Sequence, residues 1–325
     1  MLILSSFFFS IAFQNSRHAS RVVSKNIKAI EFLNTMEKIV PWTTIVLEIE
    51  RVREKNEWVW RPTIPTLKLF KMYCLQQRFN LSDPATEEAI YDRNSFQKFL
   101  DVDIVTDQIP DETSLCRFRK LLNDSHLQEK LFELINKKLD EKWLIFTQWT
   151  IMDATIIQAP SSTKNKDEER DPEIHSTKKG NQRYFWMKNN IGVDSKNWIV
   201  HTGLCTPANT HDSVVDQDLQ HWKEKEIYAD SAYHSKEKED KAIFSWKFFL
   251  VCRKWSKNKP LTQEDHARNR FCASTRCKVE HIFWVIKNTR WHRKVRYKWL
   301  HKNEMQRYML CGLVNLYRMR NHLLQ

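Results

Sequence analysis

Glycine is scarce in this chain, with four residues in 325, where an average protein carries about 7%. No glycine-rich loop can be built from so few, which excludes a P-loop and NTP hydrolysis through one. The seven cysteines contain no C-x-x-C pair, and Cys272 and Cys277 have no second half-site to complete them. That spacing excludes a structural zinc site. An odd, scattered set of thiols also points to reduced cysteines rather than a disulfide framework. The apolar run from Leu2 to Phe13 is shorter than the roughly 20 residues needed to cross a bilayer. No Lys or Arg precedes it, as one would in a secretory signal. The expectation is a cytoplasmic protein with no membrane partner.

Positive charge and apolar residues are plentiful. Lys and Arg number 53 against 40 Asp and Glu, a net charge of +13, and 41% of residues are hydrophobic. Such a chain has enough apolar surface for a folded core, and its charge favours a polyanionic partner, most commonly nucleic acid.

Three regions are expected. Residues 1–25 form an atypical extension. Residues 26–142 read as mainly helical, with Pro62 and Pro65 marking a connector and a helix over Thr66 to Phe79. Ser82-Asp83-Pro84 starts another helix, and Asp111 caps one carrying Leu115, Phe118 and Leu122 at helical spacing. Ser125-x-x-Gln128 matches a capping box. Arg117, Arg119 and Lys120 decorate this region and suit DNA phosphates, and they equally suit a solvated helix face. Residues 143–325 alternate strands and helices, the pattern of an α/β domain. Strands are expected at Trp149 to Ile157, Tyr184 to Val193, Trp198 to Cys205 and Trp246 to Cys252, with a turn at Asp194 to Asn197, and Glu226 to Tyr233 reads as a short buried strand that runs into a turn. The charged segment Ser161 to Arg170 should be a loop.

Three acids stand out. Asp153 sits inside the apolar strand and Asp230 ends another. A carboxylate buried there must be paired, hydrogen-bonded or metal-bound. Glu280 lies on a helix from Arg276 to Lys287, and at about 100° per residue these three side chains share one face. An Arg276–Glu280 helix salt bridge is one reading of that face. A metal ligand flanked by phosphate anchors is the other. Three converging carboxylates can hold two Mg²⁺ or Mn²⁺ ions roughly 4 Å apart.

The segments 153–157 (DATII) and 228–233 (YADSAY), and the spacing Arg276-x3-Glu280-x6-Lys287, resemble the DDE transposases of insertion sequence family 5. So do 73–84 (YCLQQRFNLSDP), 107–118 (DQIPDETSLCRF), 208–212 (ANTHD) and 295–300 (VRYKWL). The resemblance covers about residues 27 to 322. It implies an RNase H-like mixed sheet flanked by helices, preceded by a helical region for DNA binding and dimerisation. It implies metal-dependent cleavage at insertion-sequence ends and strand transfer into target DNA, by a homodimer bound to the terminal inverted repeats. Asp153, Asp230 and Glu280 would be the catalytic acids and the ligands of two Mg²⁺ or Mn²⁺ ions. Arg276 and Lys287 would contact DNA phosphates. Lys164, Lys178, Lys179 and Lys188 suit phosphate contacts or a solvated surface, and Asn209, His211 and Asp212 would support the site. Relatives commonly have Gly where this chain has Trp186, and often Arg at the position of Trp284. The few glycines and the unusual first 25 residues admit a second reading, a degenerate or inactive transposase-derived DNA-binding protein.

Overall fold

The computed structural model describes residues 28–53, 63–163, 169–179, 181–221, 223–257, 260–289 and 292–325. The apolar run near the start, Pro62 and Lys164 lie outside the described residues.

Helices fill the first part of the chain: α1 (Lys28–Ile39), α2 (Trp42–Glu50), α3 (Thr66–Phe79), α4 (Asp83–Asp92), α5 (Asn94–Leu100), α6 (Glu112–Asp124) and α7 (Leu127–Glu141). Local chemistry sets several boundaries. Asn80 ends α3 in the left-handed conformation, which asparagine tolerates. Ser82 caps α4 by accepting from the Ala85 amide, and Asp111 caps α6 by accepting from the Ser114 amide. The expected capping box at Ser125 does not form. His126, at φ 51°, takes the N-cap position of α7 without a side-chain bond. Gln128 is buried and donates instead to Asn123 at 2.6 Å. Its side chain is buried in the core, and the Ser125 amide donates to Leu121 O instead.

The second part is a six-stranded mixed sheet: β1 (Trp149–Gln158), β2 (His175–Lys179), β3 (Gln182–Asp194), β4 (Val200–Pro207), β5 (Glu226–Ala229) and β6 (Phe248–Val251). β1 is central, antiparallel to β3 and parallel to β5, which is in turn parallel to β6. The outer edge of β3 is shared by β2 and β4. The short strand β2 falls in a charged stretch whose sequence carries no strand signal. Asp194 closes the β3–β4 turn by accepting from the amides of Lys196 and Asn197.

Helix α8 (Lys236–Phe244) joins β5 to β6. Helix α9 (Gln263–Trp284), opened by a Thr262–Asp265 capping box, lies on one sheet face and runs into a π-helical turn, Val285–Thr289. Helix α10 (Leu300–Arg318) serves both parts of the molecule. Met309, Leu313 and Leu316 belong to the helical core, and Cys311 and Val314 belong to the core under the sheet. No helix among the described residues is long and apolar enough to cross a membrane.

Among the described residues, seven non-glycines have positive φ, and four of them are tryptophans: Trp143, Trp198, Trp246 and Trp299. Such positions ordinarily hold glycine, because a Cβ there costs roughly 1–2 kcal/mol. Trp246 ends α8 with the bonds of a glycine C-terminus, its own amide to Ile243 O and the Lys247 amide to Ala242 O. Its side chain is 92% exposed, and that of Trp143 is 86% exposed, so neither gains much from packing. Trp198 differs, because the Arg318 guanidinium lies 4.1 Å from its ring. Trp143→Gly and Trp246→Gly should each raise stability by about 0.5–1 kcal/mol, after allowing for glycine's greater freedom in the unfolded chain. Trp198→Gly should not. Urea melts of the three variants would check this, and equal shifts in all three would refute it.

Candidate active site

Asp153 lies on the central strand opposite Ile191 and is 6% exposed. Its Oδ1 accepts from the Ala154 amide at 2.9 Å, and its Oδ2 accepts from Arg276 Nη1 at 2.8 Å. Burial pushes its pKa up to about 6. Arg276 and the Ala154 amide oppose that rise, while the negative charges of Asp230 and Glu280 add to it. Those two acids are therefore electrostatic neighbours of Asp153, although they are distant in sequence.

Asp230 directly follows β5, where the parallel β1–β5 pairing brings the strand alongside β1. Its Oδ1 accepts from the Ala232 amide at 2.8 Å and caps a single 3₁₀ turn, Ser231–Tyr233. Glu280 is exposed on α9, one turn beyond Arg276. Val279, Ile282 and Phe283 of that helix are buried against the sheet and fix its position. The helix pair Arg276–Glu280 is not what forms. Arg276 reaches across to Asp153, and Asp153 and Asp230 hold its guanidinium above its ordinary value despite burial.

Among the described residues no three His, Cys, Asp or Glu side chains converge closely enough to hold a metal ion. Arg276 lies across Asp153 in that arrangement. The donor set still fits a hard divalent cation, because it offers oxygen only and contains a buried carboxylate that ionises only beside positive charge. Arg276 supplies that charge here.

The other expected site residues fall into distinct settings. Lys287 is on the π-helical turn rather than on a straight α-helix. The wider turn takes it off the Arg276–Glu280 line and into the wall of a pocket of about 650 Å³ beside β1. Lys188 donates to Thr210 O and to Asp212, each at 2.7 Å, and its side chain is only 16% exposed. It fastens the 208–212 segment to β3, where His211 caps a short turn by accepting from the Ser213 amide. Arg119 grips Asp83 through both terminal nitrogens, at 2.6 and 2.8 Å, and lies 5.1 Å from the centre of the Tyr297 ring. Both cations are thus paired with acids of the chain itself. Arg117, Lys120 and Asn209 are exposed. Lys178 and Lys179 are on β2. Thr155 belongs to the 153–157 segment, whereas the pocket residues Gln158, Asn288 and Arg293 carry no motif and the π turn has no sequence signature.

Residues 146–316 match the family model described as the transposase DDE domain, and residues 21–121 match one described as a transposase domain (DUF772). No solved structure matches the chain.

The Asp153 pKa sets a measurable linkage. A carboxyl raised from 3.8 to about 6 binds its proton more tightly folded than unfolded. The folded chain is therefore favoured at low pH, and that advantage is lost as the pH rises through about 6. Asp153→Asn removes the penalty and should be more stable than the native chain above pH 6, by up to about 3 kcal/mol. The difference should vanish as the pH falls toward 3.8. Urea melts across that range would refute this if they showed a constant difference. Arg119→Met should cost roughly 1–3 kcal/mol by stranding Asp83, yet leave the salt dependence of DNA binding by the folded protein unchanged. A flatter salt dependence would restore Arg119 to the DNA surface.

Proposed function

Because the chain belongs to the transposase DDE domain family, we propose that it cleaves DNA at the ends of an insertion sequence and transfers the freed 3′ ends into target DNA. The observation that carries this reading is the charge coupling of Asp230 and Glu280 to the buried Asp153 on the central strand. The strand order β4-β3-β1-β5-β6, with β5 and β6 parallel to β1, supports an RNase H-like sheet. The segments 153–157, 228–233 and 276–287 support a place in insertion sequence family 5.

In this reading Asp153, Asp230 and Glu280 hold two Mg²⁺ or Mn²⁺ ions. Such ions, when bound, supply activation of the attacking oxygen and neutralise charge on the departing one. The rest falls to the chain itself. Water adds to the scissile phosphorus and the 3′ oxygen leaves as a hydroxyl; that hydroxyl then gives up its proton and attacks a target phosphorus, and the target strand's own 3′ oxygen leaves. Arg276 is released from Asp153 and faces the substrate phosphate. Lys287 holds a neighbouring phosphate. Residues 26–142, with Arg117 exposed on α6, form the region that meets the terminal repeats, since phosphate contacts alone cannot tell ends from bulk DNA. Residues 143–325 form the catalytic domain, and two copies act together on paired ends.

End-labelled DNA carrying the flanking element's termini, incubated with Mg²⁺ or Mn²⁺, tests the assignment. The native chain should cut it. Asp153→Asn, Asp230→Asn and Glu280→Gln should each fail to cut while still binding the ends. Cutting by any of the three variants would remove that acid from the assignment. Lys287→Ala should lower the salt slope of binding by about one unit.

A further inference from the structure

Helix α9 grips the end of β6 along one face. Arg268 donates to Phe249 O at 2.7 Å and to Val251 O at 3.4 Å. Asn269 holds the backbone of Arg253 from both sides, accepting from its amide at 2.7 Å and donating to its carbonyl at 3.0 Å. Residues 268, 269, 272 and 276 are three or four apart in sequence, so they share that face. Cys252 lies between the gripped carbonyl of Val251 and the gripped backbone of Arg253, and Cys272 is one turn further along the helix. The two thiols are hydrogen-bonded to each other. The Cys252 amide donates to Ala229 O at 3.2 Å, which sets it beside the strand end that carries Asp230.

The two sulfurs differ in access. Cys272 is fully buried, and Cys252 is half-buried. Burial pushes both thiols up, Cys272 to about 11, and Arg276 opposes the rise at Cys252. Both stay protonated at neutral pH, so only a sustained excess of oxidant converts them. A disulfide needs sulfurs about 2 Å apart and Cβ atoms about 3.5–4.5 Å apart. Thiols already in contact across a fixed helix–strand joint need little movement to meet that geometry.

We propose that Cys252 and Cys272 form a peroxide-oxidised pair whose disulfide locks α9 to the end of β6, one helical turn before Arg276. The half-buried Cys252 reacts first. Its sulfur, as thiolate, attacks one oxygen of hydrogen peroxide, the O–O bond breaks, and the departing hydroxide takes up the thiol's proton as water, leaving a sulfenic acid. The Cys272 sulfur then attacks the Cys252 sulfur. The S–S bond forms, the S–O bond breaks, and the hydroxyl leaves as a second water with the Cys272 proton. Two thiols are oxidised by two electrons, and one peroxide is reduced to two waters. Exchange with dithiothreitol reopens the bond.

The test treats the folded full chain with excess hydrogen peroxide, alkylates the remaining thiols in denaturant, and digests with trypsin in the absence of reductant. Arg253 and Arg270 place the two cysteines in different peptides. Mass spectra should show those peptides joined, lighter than their sum by two hydrogens, and separated by dithiothreitol. Hydrogen exchange of the α9 amides from Cys272 to Glu280 should slow severalfold on oxidation. Cys252→Ser, shown to be folded by a thermal melt, should leave Cys272 alkylated and α9 exchange unchanged. Recovery of both Cys252 and Cys272 as alkylated peptides from the native chain, with the exposed Cys116 and Cys277 oxidised, would overturn the proposal. So would a joined pair that leaves α9 exchange as fast as before. Neither readout needs cleavage, so the lock stands or falls apart from the catalytic reading.

Discussion

The contact on which the site depends is the ion pair between Asp153 and Arg276. A carboxylate on the central strand of a sheet with helices against it is costly to bury, and pairing is what makes it tolerable. That pairing ties a strand near the middle of the chain to a helix more than 100 residues later, and it fixes where along α9 the helix meets the sheet. Once Arg276 is placed, Glu280 follows one turn further along, and the π turn carries Lys287 toward the end of β1. Asp230 arrives independently, because a strand parallel to β1 ends beside it. The Asp153–Arg276 pair thus sets where Glu280 stands, while the parallel pairing of β1 and β5 separately brings Asp230 alongside.

The sheet and the helical region are not joined by a simple linker. Helix α10 places Leu313 in one core and Val314 in the other, and Asn315 accepts from the Val200 amide of β4 at 3.0 Å. A shift of α7 or α3 against α10 therefore bears directly on β4 and, through β3, on the strand that carries Asp153. Helix α7 adds a second route, with Phe132 in the core under the sheet and Asn136 donating to Val200 O at 3.1 Å.

Much of this arrangement was legible in the sequence because it rests on local chemistry. The helix at Thr66–Phe79, the caps at Ser82 and Asp111, the Asp194 turn and the strand at Trp149 are set by periodicity and by side chains that satisfy nearby amides. The acids were legible because a carboxylate inside an apolar run demands a partner. What the sequence could not reveal depends on contacts across long separations. Arg119 reads as a surface cation on a helix face until α4 brings Asp83 to it. Lys188 reads likewise until the 208–212 loop closes on it. Ser125 offered a capping box, yet tertiary burial of Gln128 took the partner away. The π turn has no glycine or proline to announce it, so its meeting with the end of β1 was not legible.

The scarcity of glycine has a physical pattern. Gly192 and Gly203 stand where a Cβ would come within 2.5 Å of Leu219 O and 2.7 Å of Asn190 O. These are backbone atoms that cannot give way. At helix ends and turns, where a bulky residue costs only backbone strain of about 1–2 kcal/mol, tryptophan is found instead. A margin of typically 5–15 kcal/mol absorbs several such sites, but not a clash between sheet backbones. Trp143 and Trp246 lie outside the Asp153–Arg276 contact and the strand pairings that support it, whereas Trp198 packs against the core under the sheet and against His281 of α9. Backbone strain is thus tolerated where little packing depends on the residue, and at Trp198 where packing offsets it.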